Sequence, residues 1–215
     1  MVIISMPTLR LLNSSTVVAI GGGLRLHIAF LLAGLTAQIA EYFACALIIY
    51  ATYTLDRALN CKEDEINRSD LHGADSRVAL LACLIAFAFG TILFIRDGIY
   101  LAPVFLFIIG YLYTRGIRIG SFAFKLKGSA GTKNVIIGIT WAGSIALVVG
   151  HWCSNLVTVG IIFLFFMLKI FTTSCVNDIK DVRGALAAGI RTLPAILGEK
   201  RPGFFSSQSL QFSMR

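Results

Sequence analysis

Charge is what this 215-residue chain lacks: Asp, Glu, Lys and Arg make up 14% of it, against 57% hydrophobic residues. A soluble domain of this length carries about a quarter charged residues, so a water-soluble globule and a disordered chain are both excluded. The mean hydropathy of +0.81 points the same way. Metal-ligand spacing is missing too. Cys45, Cys61, Cys83, Cys153 and Cys175 form no C-x-x-C pair, and His27, His72 and His151 stand alone, which speaks against a zinc site or a disulfide scaffold. The cysteines read as small hydrophobes. No base-reading motif accompanies the net charge of +8, so no nucleic-acid partner is expected. The first apolar run lacks a small-residue cleavage site and leads straight into another, so it reads as a mature helix and not a signal peptide.

What the chain has in quantity is long apolar runs. Six of them, at about 16–35, 37–55, 78–95, 98–114, 134–152 and 156–176, approach the ~20 residues needed to cross the hydrocarbon of a bilayer. They predict an all-α, polytopic transmembrane helical bundle in membrane lipid. Sixteen of the nineteen Lys and Arg fall on one side of these spans, only Arg96 falls on the other, and Arg25 and Lys169 lie within spans. By the positive-inside rule this places the N-terminus and the three long loops in the cytoplasm.

Those loops carry the polar information. The first, Asp56 to Asp75, reads DRALNCKEDEINRSDLHGAD and holds six of the eleven acidic residues; the second, Arg115 to Lys133, reads RGIRIGSFAFKLKGSAGTK and is purely basic. The third opens NDIKDVRGALAAGIRTLP, from Asn177 to Pro194, directly after the sixth span. TYTLDRAL after the second span and SCVNDIKDV after the sixth echo one another weakly. An internal repeat of that kind sets two elements on opposite walls of a shared cavity.

The pairs Asp178/Asp181 and Asp56/Asn60 are spaced by three and four residues, which puts each pair on one face of a helix. Aligned carboxylates at the end of a membrane helix repel and lose hydration unless a cation bridges them. Mg²⁺ suits such a pair, because it takes one or two carboxylates and fills its remaining oxygen sites from water and a substrate phosphate. Basic residues of the second loop would clamp the phosphate oxygens. The plainer alternative is that these carboxylates are solvated positions balancing nearby Lys and Arg.

The stretch NDIKDVRGALAAGIRTLP closely resembles the second aspartate-rich motif of the UbiA superfamily of intramembrane prenyltransferases, N-D-x-x-D-x-x-x-D followed by A-x-G-x-x-T-L-P. Asn177, Asp178, Asp181, Gly189, Thr192, Leu193 and Pro194 match in register, while the third aspartate position is Ala185. The family's first motif, N-D-x-x-D-R-x-x-D, falls on Thr52, Tyr53, Asp56, Arg57 and Asn60, keeping only the D-R core. The segment YLYTRGIRIG and the later Lys133-Asn134 pair resemble the family's Tyr-then-basic stretch and its Lys-Asn pair. The resemblance covers the chain from the first span to Gly198.

The resemblance implies a helical bundle around a cavity open at the cytoplasmic face. There Mg²⁺ would sit on Asp178, Asp181 and Asp56, with Asn60 as a neutral ligand. A polyprenyl diphosphate would be held by Arg57, Lys133, Asn134 and Asn177, with Tyr113 and Arg118 lining the phosphate end. The implied reaction is Mg²⁺-dependent transfer of the prenyl group to a lipophilic aromatic or hydroxyl acceptor, the cation being stabilised by aromatic faces. Family members usually carry nine membrane helices. Six spans and the polar ending EKRPGFFSSQSLQFSMR lead to the expectation of an incomplete membrane domain over residues 1–198 and a disordered tail over 199–215. Two alternatives stand beside the enzyme: an inactive remnant that binds diphosphate, and a small transporter using Arg25 and Lys169.

Overall fold

A computed structural model describes residues 5–36, 38–59, 71–114, 117–119, 122–124 and 132–187, without the side chains of 112–124, 132–133 and 180–187. It contains six helices: α1 (Met6–Leu32), α2 (Ile39–Ala58), α3 (Ser76–Arg96), α4 (Leu101–Thr114), α5 (Thr132–Trp152) and α6 (Leu156–Ala187). Between α4 and α5 two three-residue strands, β1 (Ile117–Ile119) and β2 (Phe122–Phe124), pair antiparallel with Arg118 opposite Ala123. That hairpin, in what reads as a basic loop, was not expected from the sequence.

Each apolar run forms one helix, but two helices outgrow their runs. Helix α1 starts at Met6, where Ser5 accepts a hydrogen bond from the Thr8 amide and Pro7 occupies the first turn. These are helix-start signals that hydropathy does not register. In its polar first half the hydroxyls are satisfied within the helix, Ser14 and Ser15 donating to the Leu11 carbonyl and Thr16 to that of Leu12. Helix α6 begins at an Asn155 cap, whose side chain accepts from the amides of Val157 and Thr158, and runs 32 residues to Ala187. Asp178 and Asp181 therefore stand on a helix that continues past the end of its apolar run.

The turns at the end of the bundle away from the aspartates are tight. Gly34 and Gly98 adopt φ of 66° and 78°, and in each case the following amide reaches back five residues, Leu35 to the Phe30 carbonyl at 2.9 Å and Ile99 to that of Phe94 at 2.8 Å. This double reversal ends α1 and α3 at a left-handed residue that glycine adopts without strain.

Neighbouring helices approach at small residues, as membrane helices do when no hydrophobic effect drives them together. A Cβ on Gly90 of α3 would lie 3.0 Å from the Ala44 carbonyl oxygen of α2, and one on Gly138 of α5 would lie 3.0 Å from that of Met167 on α6. A Cβ on Gly110 of α4 would collide with the Thr52 methyl of α2. Helix α2 packs on α1, α3 and α4; α4 in turn packs on α5; α6 packs closely on α5 alone among the described helices. Leu26, Phe30, Ile48, Ile49, Phe94, Leu106, Val148 and Phe166 form one continuous core through these contacts. Outward-facing Val17, Ile20, Leu24, Leu84, Phe89 and Ile92 are equally apolar and exposed, which lipid tolerates and water does not.

Four helices are long and apolar enough to cross a membrane: Met6–Leu32, Ser76–Arg96, and the stretches Asn134–Trp152 and Leu156–Ile179. The other two expected spans fall short for different reasons. Helix α2 has 20 residues, but Glu41, Asp56 and Arg57 interrupt its apolar character. Helix α4 has 14 residues, about 21 Å of helix against roughly 30 Å of hydrocarbon.

Candidate functional site

The antiparallel packing gathers the C-terminal ends of α2, α4 and α6 and the N-terminal ends of α1, α3 and α5 at one end of the bundle. A direct tie joins two of them: the Asp75 amide before α3 donates to Thr8 Oγ1 of α1 at 2.8 Å. Thr8 itself is fully buried. Asp75 also caps α3, its Oδ1 accepting from the Arg77 amide at 2.8 Å.

The most developed polar centre at this end lies between α5 and α6. Asn134, two residues into α5, is 0% exposed, and Asp178 on α6 is 3% exposed. Asn134 Nδ2 donates to Asp178 Oδ2 at 2.8 Å and also reaches Ser174 Oγ at 3.3 Å. Ser174 stands one turn before Asp178, so a single helix face presents both acceptors. The close α5–α6 approach at Gly138 and Met167, one turn further along α5 from Asn134, sets the spacing that lets this bond form. Asn134 Oδ1 is buried and accepts no hydrogen bond from any described residue. A buried acceptor left so is costly, and a cation or a donor beside it would satisfy it.

The second group lies at the end of α2. Arg57 is buried and stacks its guanidinium over the Tyr53 ring, 4.3 Å from the centroid. The Arg57 Nη2 donates to the Tyr53 hydroxyl. Spaced by four, the two side chains meet on one helical face. Tyr53 thus takes up the arginine by a ring and a neutral oxygen, where the expected motif would place a carboxylate. Asp56, beside it, is half-buried.

The structure brings Asn134 and Asp178 into contact and Arg57 onto Tyr53. Helix α4 lies between α2 and α5, packed on both, and α2 and α6 are not among the closely packed pairs. Asn177 is exposed on α6 and points away from the buried Asp178. Asp181, Tyr113, Lys133 and Arg118 have backbone places on α6, α4, α5 and β1, but their side chains lie outside the described residues. Asn60, the acidic loop from residue 61 to 70, Gly189 to Pro194 and the 199–215 tail lie outside them altogether. Among the described residues no three His, Cys, Asp or Glu side chains converge on one point. Beside Asp178 stand the unpartnered Asn134 Oδ1 and the Cys175 thiol; the two oxygens are of the kind Mg²⁺ takes.

Three residues here were not singled out from the sequence. Ser174 and Tyr53 each stand four residues before a candidate, a spacing that flags a same-face neighbour. Glu41, at the opposite end on α2, is 2% exposed with Oε2 unpartnered among the described residues, and only its position in the first turn of a helix hinted at a role. The two cations within spans part company: Arg25 stacks over Trp141 at 5.3 Å between α1 and α5, while Lys169 is exposed on α6.

With the fold and this polar centre as its landmarks, the chain matches no protein-family model, no curated protein and no solved structure.

Proposed function

We propose that this protein is a UbiA-like intramembrane prenyltransferase, which transfers a polyprenyl group from its diphosphate to a lipophilic aromatic or hydroxyl acceptor. The observation that carries the reading is the buried Asn134–Asp178 bond between α5 and α6, inside the two sequence stretches that resemble the family's Lys-Asn pair and second aspartate motif. A carboxylate is kept at the edge of a membrane only at a cost, and here a dedicated amide orients it.

In this reading Asp178 and Asp181 hold Mg²⁺ with the help of Asp56 and Asn60 from the α2 side. The ion, when bound, neutralises the diphosphate as it leaves. The chain's own residues do the rest. Asn134 fixes the Asp178 rotamer. Arg57, held planar on Tyr53, offers N–H donors to the diphosphate, as Lys133 and Arg118 do from α5 and the hairpin. The reading also takes α2 and α4 as membrane-embedded, giving six helices in the bilayer with the aspartate end in the cytoplasm.

Incubating the purified protein in lipid with labelled geranylgeranyl diphosphate, Mg²⁺ and a panel of aromatic and hydroxyl acceptors tests it. Prenylated product that disappears in Asp178→Asn supports transfer. Diphosphate binding without any product from any acceptor assigns the chain instead to a membrane diphosphate-binding protein without turnover.

A further inference from the structure

The face of α6 turned away from α5 carries Phe165, Leu168, Lys169, Thr172, Thr173 and Val176 along an open groove of about 540 Å³. Leu168 is 61% and Val176 53% exposed. Apolar exposure of that kind suits lipid, but Lys169 does not. It is residue 14 of the 24-residue apolar stretch Leu156–Ile179, so its Cα stands roughly 15 to 20 Å from either end of the stretch. A lysine side chain extends about 6 Å, too short to bring its ammonium to water from there. Its nearest described aromatic contact is weak, Nζ standing 6.0 Å from the Phe166 ring centroid, and among the described residues Lys169 makes no ion pair.

The hydroxyls beside it are already used. Thr172 donates to the Leu168 carbonyl and Thr173 to that of Lys169, both at 2.9 Å. The one polar group on this face without an acceptor is therefore the ammonium, and the groove around it is shaped by small and apolar side chains as a helix-packing surface would be. Its charge decides what fits. A second copy of the chain would bring Lys169 against Lys169, and among the described residues no carboxylate stands at that depth: Glu41, Asp56, Asp75, Asp97, Asp178 and Asp181 all lie at or near the ends of the apolar stretches.

We infer that the exposed face of α6 docks a transmembrane helix of another protein that carries a carboxylate at mid-membrane depth, paired with Lys169. Desolvated in hydrocarbon, an ammonium and a carboxylate form a hydrogen-bonded pair that neither makes with lipid.

The test uses the full chain in phosphatidylcholine vesicles, donor-labelled, and a Leu-rich transmembrane peptide with one central Glu, acceptor-labelled. Energy transfer should report association at least about tenfold tighter than for the same peptide with a central Leu. Lys169→Met should make the two peptides bind alike, and Lys169→Glu should shift the preference to a peptide with a central Lys. Lys169 is exposed, so these variants leave the core intact. Equal binding of the Glu and Leu peptides by the wild type, or a Glu preference that survives Lys169→Met, would overturn the inference. So would labelled copies of the chain pairing with each other in preference to the Glu peptide.

Discussion

The Asn134–Asp178 bond should register as a measurable coupling between α5 and α6. Both groups are essentially buried, at 0% and 3% exposure, and the bond is 2.8 Å long. Charge-assisted bonds in soluble proteins contribute about 1.5–3 kcal/mol, whereas hydrogen bonds between membrane helices average ~0.6 and reach ~1.7 kcal/mol. Full burial of both partners places this one at the upper end of the membrane range, near ~1.5 kcal/mol. The single changes should each cost more than that. Asn134→Ala removes a donor from a buried carboxylate, and Asp178→Ala leaves an amide that already has one unpartnered oxygen, so each is expected to lose about 2–3 kcal/mol. A double-mutant cycle of the two alanine variants, followed by unfolding in mixed micelles, isolates the pair. The only two tryptophans, Trp141 and Trp152, both lie on α5, so intrinsic fluorescence reports the helix in question. Single-variant losses that add to within about 0.3 kcal/mol would refute the claim that the bond couples α5 to α6.

Three further outcomes follow from the packing. Gly138→Val should cost about 1–3 kcal/mol, because its side chain must displace the Met167 carbonyl from 3.0 Å, and it should abolish the Asn134–Asp178 coupling in the same unfolding assay. Asp75→Ala should lose roughly 1 kcal/mol with its cap on α3, while Asp75→Asn should keep most of it; thermal unfolding in detergent distinguishes them. Gly98→Val should lower the melting temperature by the cost of forcing a β-branched residue to φ 78°, roughly 1–2 kcal/mol. Gly160→Ala, on α6 with nothing within 4 Å of its added methyl, should not.

Much of the architecture is legible in the hydropathy alone, because each apolar run forms one helix. The helix ends were less so. The first ten residues of α1 and the last eleven of α6 are polar enough to look like loop, yet both are helical; at α1 the Ser5 cap and Pro7 mark the start, signals that a hydropathy window does not weigh. The second consequence matters for the site, since it moves Asp178 and Asp181 onto a continuing helix. Motif spacing brought both Asn134 and Asp178 to notice separately. That one holds the other, with Ser174 beside them, depends on how closely α5 and α6 approach, which no spacing along the chain encodes. The burial of Glu41 and the exposure of Lys169 are likewise properties of neighbours, invisible until the helices are packed.

The account's central claim is that the aspartate end of this bundle binds Mg²⁺ and a prenyl diphosphate together. Titration calorimetry of geranylgeranyl diphosphate into the protein in micelles, with and without Mg²⁺, tests it most directly. Binding that requires Mg²⁺ in the wild type and is lost in Asp178→Asn and Asp181→Asn, with both variants folded by their fluorescence, is the predicted result. A folded wild type that takes up no diphosphate in saturating Mg²⁺, or binds it equally well without the ion and without Asp178, would contradict it.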